Sequence, residues 1–331
     1  MRYFITGATG FIGRRLALRL REGGHEVRAV VRDPAQAQEL SAAGGTLYPG
    51  DVTDRKSLQG PMTGADGVFH LAALYKLGSR NVRTAEHINV TGTRYVLETM
   101  RDLGVARGVY TSTSAVFSDT HGRLVDETYR HRPADGFLSE YDRTKWRAHY
   151  EVAEPLVRVG LPLVTVMPGV VYGPGDSSAI GALFQQYLQR RLFVIPAGTS
   201  YSWAFVDDVV TGHLLAMERG RAGENYIIGG PVHTLEDTFR VAERVTGIPA
   251  PRARLPPALL RRAAGLVGRL ETFFALPDAY TAEGLRSSAG VSYIGTNEKA
   301  RREFGYSPRS LEEGLKETLG AEQNRLKMKS S

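Results

Sequence analysis

The 331-residue sequence contains no cysteine, and this absence excludes disulfides, thiolate catalysis and a cysteine-ligated zinc site. It also has no apolar run approaching the roughly 18 residues that a membrane-spanning helix needs. Its first residues lack the basic segment and the long apolar core of an export signal. We therefore predict a cytoplasmic protein without a membrane span, and we assign no residue to a metal site.

Long runs of one charge are missing as well. The 42 lysines and arginines stand among 35 acidic residues, which leaves a formal net charge of +7. A positive balance favours anionic ligands in general, but the scattering of the basic residues is typical of a solvated surface. We therefore predict no nucleic-acid partner.

Short β-branched or aromatic runs alternate with longer amphipathic runs from the N-terminus onwards. This alternation is the pattern of βαβ units on a parallel sheet. The predicted strands are 2–6, 26–32, 46–52, 67–73, 108–114 and 163–169. The predicted helices of this part are 11–22, 82–103 and 141–159, the first closed by two glycines and the last by Gly160 and Pro162.

The alternation weakens after about residue 170. Here we predict helices at 180–190 and 207–219, the second capped by its aspartates, and strands at 203–206 and 226–230. The predicted fold is α/β, a Rossmann-type doubly wound parallel sheet with a smaller, mostly helical C-terminal substrate lobe. The predicted boundaries are 1–169 for the dinucleotide-binding domain, with 203–229 returning to it, 170–202 and 230–320 for the lobe, and 321–331 for a flexible tail.

A glycine motif follows the first predicted strand directly. Gly7, Gly10 and Gly13 recur at intervals of three and open the first predicted helix. In a dinucleotide site the first glycine permits a tight turn, the second admits a pyrophosphate close to the backbone, and the third lets the helix pack on the sheet. The motif predicts a dinucleotide cofactor, with Thr9, Phe11 and Ile12 in the same turn.

The end of the second predicted strand bears on the choice between NADP and NAD. Sites for NAD usually place an acidic residue there, whereas this sequence has Arg32 followed by Asp33. An arginine suits the 2′-phosphate of NADP, because a charge-assisted bond of this kind is worth roughly 1.5–3 kcal/mol. We predict NADP, with Arg14 as a second phosphate contact, and keep NAD as the alternative because Asp33 is one position away.

Six ordered motifs resemble the extended short-chain dehydrogenase/reductases, also called the NAD-dependent epimerase/dehydratase family. The resemblance runs to about residue 319. Within the family, the sequence is most similar to dihydroflavonol-reductase-like members and to the proteins called hopanoid-associated sugar epimerases. The motifs are 7–13, 50–52, 69–73, 89–93, 141–145 and 168–175.

The resemblance implies three catalytic residues, Tyr141, Lys145 and a hydroxyl donor that the family motif places at Thr113. Tyr141 and Lys145 are four residues apart and share one face of a helix. A neighbouring ammonium stabilises a phenolate, so we predict a Tyr141 pKa about three units below its ordinary value near 10, equivalent to roughly 4 kcal/mol. Tyr141 would then act as the general acid or base of hydride transfer.

The resemblance also implies the residues that line the dinucleotide and the substrate. His70 is assigned a positional role, and Ser112 or Ser114 are second choices for the hydroxyl donor. Besides the glycine turn, Arg32 and the catalytic pair, the cofactor-binding residues are Asp51, Val52, Leu71, Ala72, Ala73, Asn89, Thr111, Ser112, Pro168, Gly169 and Val171. The predicted substrate-binding residues are Tyr75, Ser114, Phe137, Tyr201 and Trp203, with Leu77 and Phe205 as further members of an apolar pocket.

The sequence leaves the function open between a reductase, an epimerase and a non-catalytic regulator. A dehydratase is disfavoured because no acidic pair follows Thr113, and a nucleotide-sugar epimerase is disfavoured because segment 198–208 has no cation to grip a diphosphate. We predict an NADP-dependent reductase of an apolar carbonyl compound or alcohol, with an epimerase as the alternative and a non-catalytic dinucleotide-binding regulator as the second. A homodimer is predicted through helices 82–103 and 141–159.

Overall fold

The computed structural model of this protein describes residues 1–75, 82–271, 276 and 281–330. This part of the chain forms thirteen strands. In chain order they are β1 (Arg2–Thr6), β2 (Glu26–Val31), β3 (Thr46–Pro49), β4 (Gly67–His70), β5 (Gly108–Thr111), β6 (Leu163–Pro168), β7 (Val170–Tyr172), β8 (Val194–Pro196), β9 (Ser200–Phe205), β10 (Asn225–Ile228), β11 (Val232–Thr234), β12 (Ala253–Leu255) and β13 (Ser292–Tyr293).

The described part also forms α-helices, three short 3₁₀ turns (Pro34–Ala37, Ser114–Phe117, Pro133–Asp135) and two π-helical segments (His87–Gly92, Ala148–Ala153). The α-helices are α1 (Phe11–Glu22), α2 (Gln38–Ala42), α3 (Arg55–Met62), α4 (Val82–Glu86), α5 (Thr93–Asp102), α6 (Glu140–Arg147), α7 (Glu154–Arg158), α8 (Ala179–Leu188), α9 (Val206–Arg219), α10 (Leu235–Thr246), α11 (Pro257–Leu270), α12 (Ala282–Arg286), α13 (Glu298–Phe304) and α14 (Leu311–Ser330).

Seven parallel strands form the main sheet in the order β10-β6-β5-β4-β1-β2-β3. The order reverses between β1 and β4, and open parallel sheets bind ligands in the crevice at such a point. The strands read as near-continuous apolar runs because both faces are covered. One apolar layer packs α1 and α9 on one face, and a second packs α3 and α5 on the other. The predicted Rossmann-type fold is confirmed.

The C-terminal lobe contains more strand than the predicted, mostly helical one. Strands β7, β9, β11 and β13 form a second sheet, and β8 pairs with β12 in a third. The predicted strand at 203–206 therefore belongs to the second sheet and not to the main one, whereas the strand predicted at 226–230 is β10 and pairs with β6 as expected. Most strands of these two sheets were not predicted, because a strand of two or three residues shows too little alternation to be distinguished from a loop.

Element ends differ from the predictions in a consistent way. Strands β2 to β6 stop one to three residues early, because the chain leaves the ladder at the carboxyl edge to form loops over the crevice. The two long helices each contain a π-helical segment. The predicted capping of α9 is wrong: Phe205 occupies the N-cap without a side-chain bond, and the two aspartates instead face Arg15 (3.4 Å from Asp207) and Arg309 (3.1 Å from Asp208).

The segment predicted as a flexible tail is helical. The C-terminal residues up to Ser330 continue helix α14. Glu322 is buried in this helix and accepts a hydrogen bond from the backbone N–H of Gly175, 3.1 Å away. This contact joins the helix to the loop after β7, and the polar composition of the last residues gave no sign of it.

Gly13 explains how α1 sits against the end of β1. A Cβ at Gly13 would lie 2.1 Å from the carbonyl oxygen of Gly7, a distance no real contact reaches. Gly7 itself has a φ of +76°, which glycine adopts without steric cost. The first turn of the helix can therefore approach the sheet only with glycine at both positions.

Substituting Gly13→Ala should lower the free energy of unfolding by about 1–3 kcal/mol, because backbone must move to admit the methyl group. The matched control is Gly265→Ala in α11, where nothing lies within 4 Å of the added Cβ. That change should raise stability by about 0.5–1 kcal/mol through helix propensity. Urea unfolding of both variants measures the difference, and equal effects would contradict the close packing.

Candidate active site

The glycine turn lies at the carboxyl edge of β1, over the point where the strand order reverses. Gly10 is the N-cap of α1, and its helix end has neither a side-chain cap nor an acidic residue in the first turn. Thr9 and Gly10 are exposed, and Phe11 and Ile12 are half-buried. An uncapped helix N-terminus reached through bare backbone suits a pyrophosphate, so these residues fit a dinucleotide.

Neighbouring strand ends complete the rim of the same crevice. The segment after β4 places Leu71 and Ala72 beside the glycine turn, since their backbone N–H groups donate to the oxygens of Thr6, at 3.3 Å each. Ala73 is exposed. After β3, the Asp51 carboxylate accepts from the N–H and hydroxyl of Thr53, both at 2.8 Å. Val52 is buried and packs beneath Gly92.

Arg32 and Asp33 differ in how they are engaged. Both oxygens of the Asp33 carboxylate accept local bonds, from the N–H of Ala35 (3.0 Å) and from Gln36 Nε2 (3.2 Å). Arg32 is exposed and forms no ion pair with any described residue. Arg14 pairs with Glu39 at 2.6 Å. The carboxylate is therefore used as a turn cap, while the guanidinium of Arg32 stays available.

Tyr141 and Lys145 stand on one face of α6, which begins after the N-cap Ser139. The Lys145 ammonium is buried and donates to the carbonyl of Thr111 (2.8 Å) and to the hydroxyl of Tyr110 (3.3 Å). It also lies 4.9 Å from the centre of the Tyr110 ring. Within the described part of the chain no carboxylate pairs with it.

A buried ammonium with only neutral acceptors is costly in free energy. Burial accordingly lowers the pKa of Lys145 to about 7, from its ordinary value of 10.5. Such shifts are a property of functional sites more often than of structural ones. Lys145 is thus held in a state in which small changes of nearby charge alter its protonation.

The predicted depression of the Tyr141 pKa is wrong for the protein without its cofactor. Burial raises the pKa of Tyr141, and its neighbour Tyr75 raises it further, while a hydrogen bond with the Thr113 hydroxyl lowers it. Lys145 is not among the causes of this shift, and its ammonium donates to Thr111 and Tyr110. The spacing of Tyr141 and Lys145 predicts that they share one helical face. It does not predict which groups accept hydrogen bonds from the Lys145 ammonium.

The four hydroxyl candidates after β5 are separated by their contacts. Thr113 is hydrogen-bonded to Tyr141 and also caps the 3₁₀ turn Ser114–Phe117 through the N–H of Ala115. Ser112 bonds to His149 Nδ1 (2.8 Å) and Thr111 to His213 Nε2 (2.8 Å), on other sides of the strand end. Ser114 is buried at the start of the turn. The structure thus brings Thr113 and Tyr141 together.

A chain of buried hydroxyls supports Lys145, and sequence reasoning missed it. The Thr93 hydroxyl donates to the carbonyl of Asn89 (2.6 Å), so it accepts from the Tyr110 hydroxyl and from His70 Nε2 (3.0 Å). His70 Nδ1 then accepts from Thr6 (2.8 Å), as a neutral imidazole whose pKa burial lowers to about 3. Tyr110 is thereby turned to present its oxygen to Lys145. His70 has the positional place that was predicted.

Asn89 connects the long helix to two loops of the site. Its side-chain oxygen accepts from the N–H of Leu74 (2.6 Å), and its amide donates to the carbonyl of Leu74 (3.1 Å) and to the Thr144 hydroxyl (3.0 Å). It fixes the start of the segment that carries Tyr75 against α6. Asn89 therefore acts through backbone position and lies away from the crevice surface, since it is only 1% exposed.

The aromatic residues predicted for the substrate divide into two groups. The rings of Tyr75 and Tyr141 meet edge to face at 4.8 Å, and Tyr201 lies near Tyr75 and stacks on Tyr293 at 6.2 Å. Trp203 is instead buried in the lobe core, with its indole N–H donating to the carbonyl of His233 (3.2 Å).

The other predicted substrate-binding and cofactor-binding residues pack against several different elements. Phe137 packs beside Trp146 and His131, and Phe205 lies under Arg309. Leu77 lies outside the described residues. Pro168 ends β6, Gly169 approaches Ser202 so closely that no Cβ would fit, and Val171 pairs with Ala204 in the second sheet.

A buried carboxylate next to Tyr141 ties the main sheet to the lobe. Asp142 accepts from the Ser139 hydroxyl (2.8 Å) and from the Tyr293 hydroxyl of β13 (2.9 Å). Burial raises the pKa of Asp142 to about 7, and the carboxylate of Glu283 raises it further. This contact was not predicted, because Asp142 and Tyr293 are distant in sequence and no local pattern connects them.

Comparison with known proteins places the whole chain. A model of the NAD dependent epimerase/dehydratase family matches residues 3–229. A putative dihydroflavonol 4-reductase of Synechocystis is 30% identical over 97% of this chain and 94% of its own length. A 4-hydroxy-2-methyl-3-oxo-4-farnesyl-3,4-dihydroquinoline-1-oxide ketoreductase of Stigmatella aurantiaca is 34% identical over 93% and 92%. The crystal structure of gox2253 is 30% identical, with a TM-score of 0.84 and 98% of both chains covered. Among the described helices none is long and apolar enough to cross a membrane.

Replacing Lys145 by Met should raise the free energy of unfolding by about 1–4 kcal/mol, since it removes a buried charge without a counterion. Folding lowers the pKa of Lys145, so the unfolded chain binds more protons between about pH 7 and 10.5. The gain should therefore be largest below pH 7 and shrink as the pH rises towards 10. Urea unfolding across this range measures it.

The matched control is Lys299→Met. Lys299 also lies over a tyrosine ring (4.7 Å from the centre of Tyr226) and donates to a carbonyl, but it has a carboxylate partner in Glu224 at 2.7 Å. Losing that pair should cost about 0.5–1 kcal/mol. A loss of stability in both variants would contradict the description of Lys145 as uncompensated.

The Asp142→Asn variant tests the buried carboxylate. Because folding raises the pKa of Asp142, its contribution to stability is complete below about pH 4 and is lost as the pH rises through 7. Wild type should lose about 1–3 kcal/mol relative to the variant between pH 5 and 8. Asp126→Asn, at an exposed turn whose carboxylate pKa is lowered, should give a flat difference over that range. A flat difference for Asp142→Asn too would refute the assignment.

Proposed function

This chain belongs to the NAD dependent epimerase/dehydratase family and is an NAD(P)-dependent enzyme, and we propose that it is an NADP-dependent reductase of an apolar carbonyl compound, working also in the reverse direction on the alcohol. The observation that carries the proposal is that Tyr141 is hydrogen-bonded to Thr113, while Lys145 of the same helix is held by Thr111 at the carboxyl end of β5.

The catalytic roles follow from these contacts. The glycine turn at residues 7–13 would hold a dinucleotide, whose chemistry would be hydride transfer to or from the carbonyl carbon. Tyr141 gives its phenolic proton to the carbonyl oxygen, so that one C–H and one O–H bond form as the C=O double bond becomes single. Thr113, already bonded to the Tyr141 hydroxyl, holds the same oxygen. The positive charge of Lys145 stabilises the phenolate left behind.

Two arguments support NADP as the cofactor. Arg32 is exposed at the end of β2 without an ion pair among described residues, whereas the Asp33 carboxylate is occupied by two local hydrogen bonds. An acidic residue that caps a turn is poorly placed to accept ribose hydroxyls, and a guanidinium suits a 2′-phosphate. NAD remains the alternative.

An apolar substrate is supported by the walls of the site. Tyr75 meets the Tyr141 ring edge to face, and Tyr201 lies near Tyr75 and stacks on Tyr293. Strand β9, which approaches from the lobe, reads Ser-Tyr-Ser-Trp-Ala-Phe and carries no cation for a diphosphate. Two relatives bear reductase names, a putative dihydroflavonol 4-reductase and a ketoreductase. A nucleotide-sugar epimerase is the second candidate because the family includes epimerases.

The remaining expectations belong to the same proposal. They are a homodimer through the two long helices, a cytoplasmic address, and a division into the dinucleotide-binding domain and a substrate lobe over its carboxyl edge. A regulator that binds the dinucleotide without chemistry is disfavoured. Burying the Lys145 ammonium lowers its pKa and is unfavourable for folding, and binding alone does not require such a group.

Arg32→Ala should weaken NADPH binding about 10- to 100-fold, the loss of one charge-assisted bond of roughly 1.5–3 kcal/mol. NADH binding should change less than about twofold, because NADH lacks the 2′-phosphate. Fluorescence titration with each cofactor measures both constants. Asp33→Ala is the matched control and should leave the ratio of the two constants unchanged. Equal weakening of NADPH and NADH by Arg32→Ala would overturn the NADP assignment.

Turnover distinguishes the reductase from its alternatives. With apolar ketones and aldehydes the protein should consume NADPH steadily, and Tyr141→Phe should reduce kcat by about 10²- to 10⁴-fold. Tyr150→Phe is the control, because this hydroxyl, on the helical segment after α6, donates among the described residues to the carbonyl of Tyr129 and not to a site residue. Conversion of a UDP-sugar without net cofactor consumption would establish the epimerase, and binding of NADPH without turnover of either class would establish the regulator.

A further inference from the structure

Helix α11 exposes an apolar stripe to solvent. Leu259, Leu266 and Leu270 are 52%, 63% and 55% exposed, while the helix buries only Leu260 and Ala264. At about 100° per residue, spacings of seven and four residues place the three exposed leucines within about 40° of one another around the helix axis. A soluble helix normally turns such a stripe towards the core.

A neighbouring strand extends the apolar surface. Strand β8 pairs with β12, which ends two residues before α11, and Val194 lies opposite Ala253. Phe193 and Val194 are 75% and 38% exposed. Of the twelve large apolar side chains that are exposed in the described part of the chain, five therefore belong to one unit formed by Phe193, β8, β12 and α11. We call this unit the basic–apolar face.

The charge of the basic–apolar face has one sign. From Arg252 to Leu270 the sequence contains five arginines and no acidic residue. Arg252, Arg254 and Arg262 are exposed and form no ion pair with described residues. Arg262 stands three residues after Leu259 and four before Leu266, so its guanidinium flanks the leucine stripe. This positive charge is not neutralised by neighbouring carboxylates.

We propose that the basic–apolar face binds the surface of a bilayer that contains anionic phospholipids. Leucines aligned along a helix enter the boundary between headgroups and acyl chains, while flanking arginines reach the lipid phosphates. A nucleic acid offers no partner for the leucine stripe, and an identical copy would bring one set of uncompensated arginines against another. The protein lies on the bilayer, since no described helix can span it.

The same face is connected to the catalytic helix. Gly268 of α11 packs against Ala282 of α12, and Glu283 of α12 accepts the N–H of Glu140, the first residue of α6, at 3.3 Å. If the proposed function holds, the bilayer lies beside the lobe that receives an apolar substrate. Binding to the bilayer does not itself depend on that function.

Sedimentation of the full-length protein with vesicles tests the proposal. The protein should bind vesicles of phosphatidylcholine and phosphatidylglycerol in a roughly 7:3 ratio at least about tenfold more tightly than pure phosphatidylcholine, and added salt should weaken the binding. The variant L259S/L266S/L270S should lose at least about tenfold in affinity for the mixed vesicles. The variant R252Q/R254Q/R262Q should lose the preference for anionic lipid.

The matched control is L124S/V232S/M328S, which removes three exposed apolar side chains outside this face and outside the two long helices without changing charge. It should bind like wild type. Equal binding of wild type to both kinds of vesicle, or unchanged binding of the leucine variant, would overturn the proposal. A third contrary outcome is a wild-type protein that does not bind vesicles and is a dimer in solution, while the leucine variant is a monomer. Turnover of a water-soluble ketone without vesicles is measured in parallel: its absence would count against the proposed reductase and leave the lipid result standing.

Discussion

The site depends on keeping one ammonium, that of Lys145, buried without a carboxylate partner among the described residues. Burial lowers its pKa to about 7, and its contacts among the described residues are the carbonyl of Thr111, the hydroxyl of Tyr110 and the face of the Tyr110 ring. This arrangement is unfavourable for folding and useful for chemistry, because a weakly compensated charge acts strongly on whatever enters the crevice. The surrounding network of His70, Thr93 and Tyr110 is built so that each hydroxyl has a defined donor role.

The parallel sheet makes that arrangement possible. It brings the ends of β1, β4 and β5 to one edge, so that the glycine turn, His70 and Thr111 meet although they are far apart in sequence. The helix that carries Tyr141 and Lys145 crosses this edge and is fastened on both sides, to the long helix by Asn89 and to the lobe by Asp142 and Tyr293. Two buried polar contacts therefore fix the face of α6 that carries Tyr141 and Lys145.

Much of this could be predicted from the sequence, because local patterns determine local structure. The glycine spacing indicated the turn at β1, and the apolar alternation predicted the strands of the main sheet. The roles of Tyr141, Lys145 and Thr113 came from the resemblance to a family. Prediction failed where long-range contacts decide: the aim of Lys145 towards Tyr110, the Asp142–Tyr293 bond and the burial of Glu322 in a polar C-terminal helix. Trp203 looked like a pocket residue because burial cannot be read from residue type alone.

The central claim is that Lys145 is a buried, weakly compensated ammonium at a dinucleotide site. The most direct test is an NMR titration of protein labelled with ¹⁵N-lysine, which contains seven lysines in all, first alone and then saturated with NADPH. In the free protein the signal of Lys145 should titrate near pH 7, apart from the others, and the anionic cofactor should move it upwards. A Lys145 signal that titrates near 10.5 in the free protein, or one that is unmoved by NADPH, would contradict the account.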